Sequence, residues 1–304
     1  MTDAAAPPWA RVAGSGGQVV AWRFGAGATP VFLFHGLLPA ASGRIGAELA
    51  IDLVGRCRTR VYGVDAPGFG ESDAPVDGYA MAALAERLGG LAGAAGGLAD
   101  GPAVLAGHSW GAALACRVAT LLDRRPLGLV LLDGGHFDHA DLPEADPAET
   151  VADVREQMAA MGWALDEPTL SACVERVGGA DAHARPLLRE AVRAGVIETP
   201  QGFRSRVAPA NAAAAMHGLM NSRTSDTYPT IARLGIPVLL LMATRPDERA
   251  RLNRERLVRF RAHLPDVDVV ELASGHDVPV DAPADGARAI ADWLVARGIA
   301  GPAA

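Results

Sequence analysis

Short, continuous apolar runs alternate with longer alanine-rich stretches of helical periodicity along this 304-residue chain. That pattern points to a doubly wound α/β sheet with helices on both faces. A strand covered on both faces reads as an unbroken apolar run, whereas a strand with one wet face alternates. A single long interruption without such a run adds a second feature, an insertion between two strands of the sheet.

In chain order, Val31–Phe34 (VFLF), Arg60–Val64 (RVYGV), Ala103–Ala106 (AVLA), Leu127–Leu132 (LGLVLL) and Pro237–Met242 (PVLLLM) read as buried strands. Asp266–Leu272 (DVDVVEL) alternates and suits a less buried last strand. Between them Tyr79–Leu98, Trp110–Leu122, Arg249–His263 and Ala284–Ala296 read as helices. Strand and helix succeeding each other at this spacing build a parallel sheet. The interruption runs from Gly134 to Tyr228 and reads as helical segments only: Pro147–Met161, Pro168–Val177, Arg185–Ala194 and Arg204–Met220. Open α/β sheets bind ligands at their carboxyl edge. A helical insertion there encloses a site, which divides the chain into a core (1–133), a cap (134–228) and the rest of the core (229–304). The Ala/Gly stretch Gly89–Gly97 reads as weak helix.

Composition excludes several function classes. Half the residues are hydrophobic, enough to bury a sizeable core, and the net charge of −7 with a pI near 5.6 argues against nucleic acid or anionic membrane as partner. All 28 basic residues are arginine, a bias of the kind GC-rich bacterial genomes produce. Without lysine the chain has no Walker-type phosphate loop, pyridoxal Schiff base or lysine general base. Cys57, Cys116 and Cys173 form no CxxC pair, so reduced thiols are expected rather than a zinc ribbon or redox dithiol. The start MTDAAAPPWARVAG lacks a signal-peptide pattern, and no window reaches membrane-spanning length, so a cytoplasmic protein is expected.

The sharpest chemical signal is Gly107-His108-Ser109-Trp110-Gly111, directly after AVLA and before WGAALACRVATLL. In a strand–turn–helix context this pentapeptide forces a sharp turn that exposes a strained serine, with small residues at both glycines. The helix that follows aims its positive end at the serine oxygen. Three further segments stand with it: Phe34-His35-Gly36-Leu37, Asp65-Ala66-Pro67-Gly68-Phe69-Gly70-Glu71-Ser72, and Gly275-His276-Asp277 followed by Pro279, Asp281 and Pro283.

Together these segments resemble the α/β-hydrolase superfamily, in its capped form, over nearly the whole chain outside the insertion. They match that family's HG loop, DxPGxGxS loop and histidine loop. The resemblance implies Ser109 as nucleophile and an oxyanion hole made by the backbone N–H groups of Leu37 and Trp110. Ser109 stands where dehalogenases and epoxide hydrolases carry a carboxylate, which argues for attack on an acyl carbon. The Trp110 indole either joins a pocket wall or packs beneath the cap.

His276 is the expected base, because it follows the last strand and comes after the serine in the order this fold requires. His35 is expected to support the HG turn, and His108 is left without a role. Two acids stand at strand ends. Asp133 closes LGLVLL, where the haloalkane-dehalogenase branch carries its acid, and is preferred. Asp247 follows PVLLLM near the commoner family position, but there the usual Gly-x-x-Asp is Ala243-Thr244-Arg245-Pro246 and Asp247 overshoots by one. Asp247 also suits the acidic first turn of a helix.

His136, Asp138, His139 and Asp141 lack the HExxH spacing and read as a polar hinge rather than a metal site. Arg249, Arg251, Arg254, Arg256, Arg259 and Arg261, interleaved with Glu248 and Glu255, read as a solvated helix face. Phe137, Trp163 and Met216 are either pocket walls or cap core. The expected function is a cofactor-free, metal-free serine hydrolase for a small ester, thioester, lactone or amide. A cyclase, acyl transferase or carbon–carbon lyase on the same scaffold is the alternative, and a small-molecule receptor a more distant one.

Overall fold

The computed structural model describes residues 9–13, 19–93, 101–142, 145–146 and 148–303. The chain begins with β1 (Trp9–Ala13), β2 (Val20–Phe24) and β3 (Thr29–Phe34), then α1 (Ala47–Arg56), β4 (Thr59–Asp65), α2 (Met81–Gly93), β5 (Val104–His108), α3 (Trp110–Leu121) and β6 (Gly128–Leu132). After the insertion come α8 (Tyr228–Leu234), β10 (Val238–Ala243), α9 (Asp247–His263), β11 (Asp268–Leu272), α10 (Val278–Asp281) and α11 (Pro283–Ala296). Residues 94–98 of the helix expected over Tyr79–Leu98 lie outside the described residues.

These strands form one eight-stranded sheet in the order β1-β2-β4-β3-β5-β6-β10-β11. From β4 to β11 every pairing is parallel, and β1 and β2 add an antiparallel edge. Those first two strands carry no continuous apolar signal, since Arg11 and Arg23 interrupt them, and are absent from the sequence expectation.

Alternate residues of the parallel strands feed two cores. Phe32, Phe34, Leu105, Leu129, Leu131, Leu240 and Met242 face α2, α3 and the Phe260 face of α9. Val31, Leu33, Val104, Ala106, Val130, Leu132, Leu239 and Leu241 face α1 and α11. Burial of each Val, Leu, Phe or Met among them stabilises the fold by about 1.5–3 kcal/mol, which is why the runs show no polar alternation. β11 lies at the sheet edge and is only half-buried, in keeping with its alternating sequence. All three cysteines are free and buried. Among the described residues no helix is long and apolar enough to cross a membrane.

Between β6 and α8 the chain builds α4 (Val151–Ala160), β7 (Asp166–Glu167), α5 (Leu170–Gly178), α6 (Pro186–Gly195), β8 (Val196–Thr199), β9 (Gly202–Ser205) and α7 (Pro209–Met220). The insertion is therefore not purely helical: β7, β9 and β8 form a small antiparallel sheet. The helix expected from Arg204 starts only at Pro209, because Gly202 (φ 137°) closes a hairpin that draws Arg204 and Ser205 into pairing with β8. Pro147, the expected start of α4, lies outside the described residues, and Thr150 caps that helix in a capping box with Asp153. Leu165, Cys173, Val174, Leu188, Ala191, Val192 and Val196 make a third core, which also takes in Ala40, Ile45 and Val280 of the sheet domain. The insertion thus seats on loops next to Leu37 and His276, and Arg185 pairs with Glu48 of α1 across that contact.

Candidate active site

Ser109 stands between β5 and α3 with φ 52° and ψ −116°, one of two non-glycine residues at positive φ among those described. The two flanking glycines have a measurable reason. A Cβ on Gly107 would lie 2.1 Å from the Gly111 carbonyl oxygen, and one on Gly111 would lie 2.3 Å from that of Phe34. The elbow thus demands backbone-to-backbone approach on both sides of the strained serine.

His276, on the loop between β11 and α10, brings Nε2 to 2.8 Å from Ser109 Oγ. Its Nδ1 lies 2.7 Å from Asp133 Oδ2. Asp133 is the other residue at positive φ (43°), directly after β6, and its side chain is 1% exposed. The Ala243 backbone N–H (3.0 Å) and Asn253 Nδ2 (2.6 Å) both donate to Oδ1, and Arg249 Nη1 donates to Oδ2 at 3.0 Å. Burial pushes the Asp133 carboxyl up, but the His276 hydrogen bond and charge, the Ala243 N–H and Arg249 outweigh it and leave the pKa below the usual carboxylate value. Asp247 lies elsewhere, exposed on the first turn of α9.

Arg249 and Asn253 are the residues that sequence reasoning missed. Arg249 does not belong to a wholly solvated face: a buried carboxylate needs charged partners, and α9 supplies one by turning Arg249 inward. The signal was present as the spacing of Ala250, Asn253, Leu257 and Phe260, the inward stripe of an otherwise charged helix. The remaining arginines behave as expected where their partners are on the surface, Arg251 with Glu255 and Arg254 with Glu271.

His108 also acquires a place. Its Nε2–H donates to the His276 backbone carbonyl at 2.9 Å, tying the histidine loop to the elbow. Burial, followed by the His276 charge, lowers its pKa to about 3, so it is neutral. His108, His276 and Asp277 are the group of potential metal ligands found among the described residues, with ligand atoms within 4.8 Å. Both His276 ring nitrogens already face Asp133 and Ser109, so a metal there would have to break those contacts.

The backbone N–H groups of Leu37 and Trp110 have no acceptor among the described residues. The Trp110 indole is fully buried against Phe69 (5.4 Å) and His35 (6.0 Å) rather than open to a pocket. His35 bridges its own turn to the Asp65 loop: Nδ1–H donates to the Gly36 carbonyl and Nε2 accepts the Ala66 N–H. Asp65 accepts the N–H groups of Gly43 (2.6 Å) and Glu71 (2.8 Å), which makes that loop a structural brace.

His136 and Asp138 are buried, and Asp138 accepts from Ser225 (Oγ, 2.6 Å) and Arg223 (3.1 Å) in a polar staple between the two ends of the insertion. Phe137 carries the Arg256 guanidinium 3.8 Å over its ring beside a cavity of about 480 Å³. Trp163 and Met216 are partly buried and pack against the core that faces α2 and α3.

The solved structures most similar in fold include an E-2-(acetamidomethylene)succinate hydrolase, with 21% identity, a TM-score of 0.68 and coverage of 94% of this chain and 99% of that one. A thioesterase domain from the curacin biosynthetic pathway matches with 19% identity, a TM-score of 0.65 and coverage of 95% and 98%. An esterase from M. tuberculosis matches with 21% identity, a TM-score of 0.65 and coverage of 95% and 93%. No curated protein matches the chain by sequence. The model of the alpha/beta hydrolase family matches residues 12–289, nearly the whole chain. With that match and the sheet order described above, the chain belongs to the alpha/beta hydrolase family and is an enzyme of the hydrolase type.

Proposed function

We propose that the protein is a serine hydrolase that cleaves small-molecule esters, thioesters, lactones or amides through an acyl-enzyme. One observation carries the reading: Ser109 Oγ, His276 and Asp133 lie in a continuous hydrogen-bonded line, 2.8 Å and 2.7 Å apart. In this reading Asp133 holds the Nδ1–H tautomer of His276, leaving Nε2 free to take the Ser109 proton as the oxygen attacks the acyl carbon. The unpaired N–H groups of Leu37 and Trp110 receive the oxyanion, an interaction worth about 3–4 kcal/mol per donor. His276 then protonates the leaving group and activates the water that releases the acid. The insertion at 134–228 serves as the cap, and its seat beside Ala40 and Val280 supports a restricted entry suited to small molecules. The esterase, thioesterase and hydrolase names of the structural neighbours agree with acyl chemistry.

Intact-mass labelling with a fluorophosphonate probe tests the assignment. The expected result is one adduct on the wild type and none on Ser109→Ala, together with hydrolysis of a p-nitrophenyl acetate reporter that is lost in the same variant. A wild type that stays unlabelled and leaves the reporter intact overturns the reading. Transfer or isomerisation of a substrate without release of free acid would instead favour the cyclase or transferase alternative.

A further inference from the structure

Arg249 is placed where a serine triad does not require a residue. Its Nη1 lies 3.0 Å from Asp133 Oδ2 and 3.2 Å from His276 Nδ1, so one guanidinium nitrogen faces both partners of the acid–histidine pair. Its side chain is only a third exposed, and Asn253, one turn further along α9, grips the other carboxylate oxygen. The two residues share one face of the helix, and the helix thereby clamps the acid from outside the loops that carry Ser109 and His276.

We propose that Arg249 is a positioning residue of the active site, a fixed cation that shares the Asp133 carboxylate with His276 and disfavours a second positive charge on the imidazole. The inference rests on the serine-hydrolase reading above. Two consequences follow from Coulomb's law in a half-buried site. Asp133 stays ionised and oriented even though its side chain is buried. The imidazolium that forms during catalysis meets a carboxylate whose charge is already partly compensated, so His276 works as a base down to a lower pH than it would beside Asp133 alone.

Other charged groups near His276 do not duplicate this effect. His108, from β5, is neutral and donates to a backbone carbonyl. His139, from the insertion, is held neutral by burial. Asp277 and Asp281, on the histidine's own loop and α10, are acids whose pKa burial raises, and they bias the imidazole toward its charged form. Among the described charged groups around His276, Arg249 is thus the cation that opposes protonation.

The test measures the rate of fluorophosphonate labelling of Ser109, and of reporter hydrolysis, between about pH 5.5 and 9 in wild type, Arg249→Gln and Arg249→Lys. Thermal unfolding verifies that each variant is folded. In Arg249→Gln the acidic limb of both profiles moves up by about one pH unit, so the rate near pH 6 falls about tenfold while the alkaline plateau stays within about threefold. Arg249→Lys keeps the cation and retains most of the wild-type limb. An unmoved limb in Arg249→Gln, or a plateau that falls equally in both variants, overturns the proposal and leaves Arg249 a packing residue. Absence of wild-type labelling at every pH instead overturns the serine-hydrolase reading itself, so the two failures are separable.

Discussion

Asp133, at the end of β6, accepts the backbone N–H of Ala243, at the end of the neighbouring β10, at 3.0 Å. The acid therefore reaches across to the place where an acid following β10 would stand. Ala243-Thr244-Arg245-Pro246 has no carboxylate at that point, and Asp247 begins α9 on the surface. Asp133→Asn is expected to reduce kcat about 10³–10⁴-fold by favouring the wrong histidine tautomer. Asp247→Asn is expected to stay within about twofold, since surface changes rarely matter. Steady-state kinetics on one reporter ester checks both, and the reverse ranking would move the acid to Asp247.

Gly111→Ala places a Cβ 2.3 Å from the Phe34 carbonyl oxygen and 2.5 Å from that of His35, neither of which can swing away. The expected cost is about 2–3 kcal/mol or more of stability, from backbone displacement at the elbow. Gly90→Ala, inside α2 with open space around the new methyl group, should stabilise by about 0.5–1 kcal/mol. Urea-unfolding midpoints of the two variants should move in opposite directions.

His108→Leu removes the Nε2–H that holds the His276 carbonyl and leaves that carbonyl without its 2.9 Å partner. A loss of about 1–3 kcal/mol in stability is expected for the unsatisfied buried group. Because the loop that positions His276 loosens, kcat should fall about tenfold with KM nearly unchanged. A fall in KM-dependent binding alone would show that His108 faces substrate instead.

Four histidines are held neutral by burial: His35, His136 and His139 with pKa lowered to about 4, and His108 to about 3. The unfolded chain binds these protons below its ordinary value near 6.5, whereas the folded chain does not. Their contribution is therefore intact above pH 6.5 and is lost as pH falls toward 4. Each histidine that stays neutral costs about 1.4 kcal/mol of stability per pH unit over that window. Urea midpoints measured from pH 8 down to about 4.5 should be flat at first and then fall steeply. A flat profile throughout would place these rings in contact with water.

The strands of the parallel sheet were legible because burial on both faces leaves a local trace, an apolar run such as VLLLMA or GLVLL with no polar partner position. The serine elbow was legible for a similar reason, since its five residues are contiguous between an apolar run and a helix, although the Gly111 requirement comes from the Phe34 and His35 carbonyls of the neighbouring β3 end. The antiparallel strand β2 and the small sheet of the insertion left no such trace, because an Arg, Glu or Thr within a strand of only four or five residues leaves no continuous apolar run. Sequence separation explains the rest. Asp133, Asn253, Arg249 and His276 come from three different elements, and which aspartate reaches the histidine depends on how β6 and β10 lie side by side. The choice between a solvated arginine and one clamped on a buried carboxylate rests on the rotation of α9 against the sheet. That rotation is set by Ala250 and Phe260 packing inward, which only the assembled tertiary structure decides.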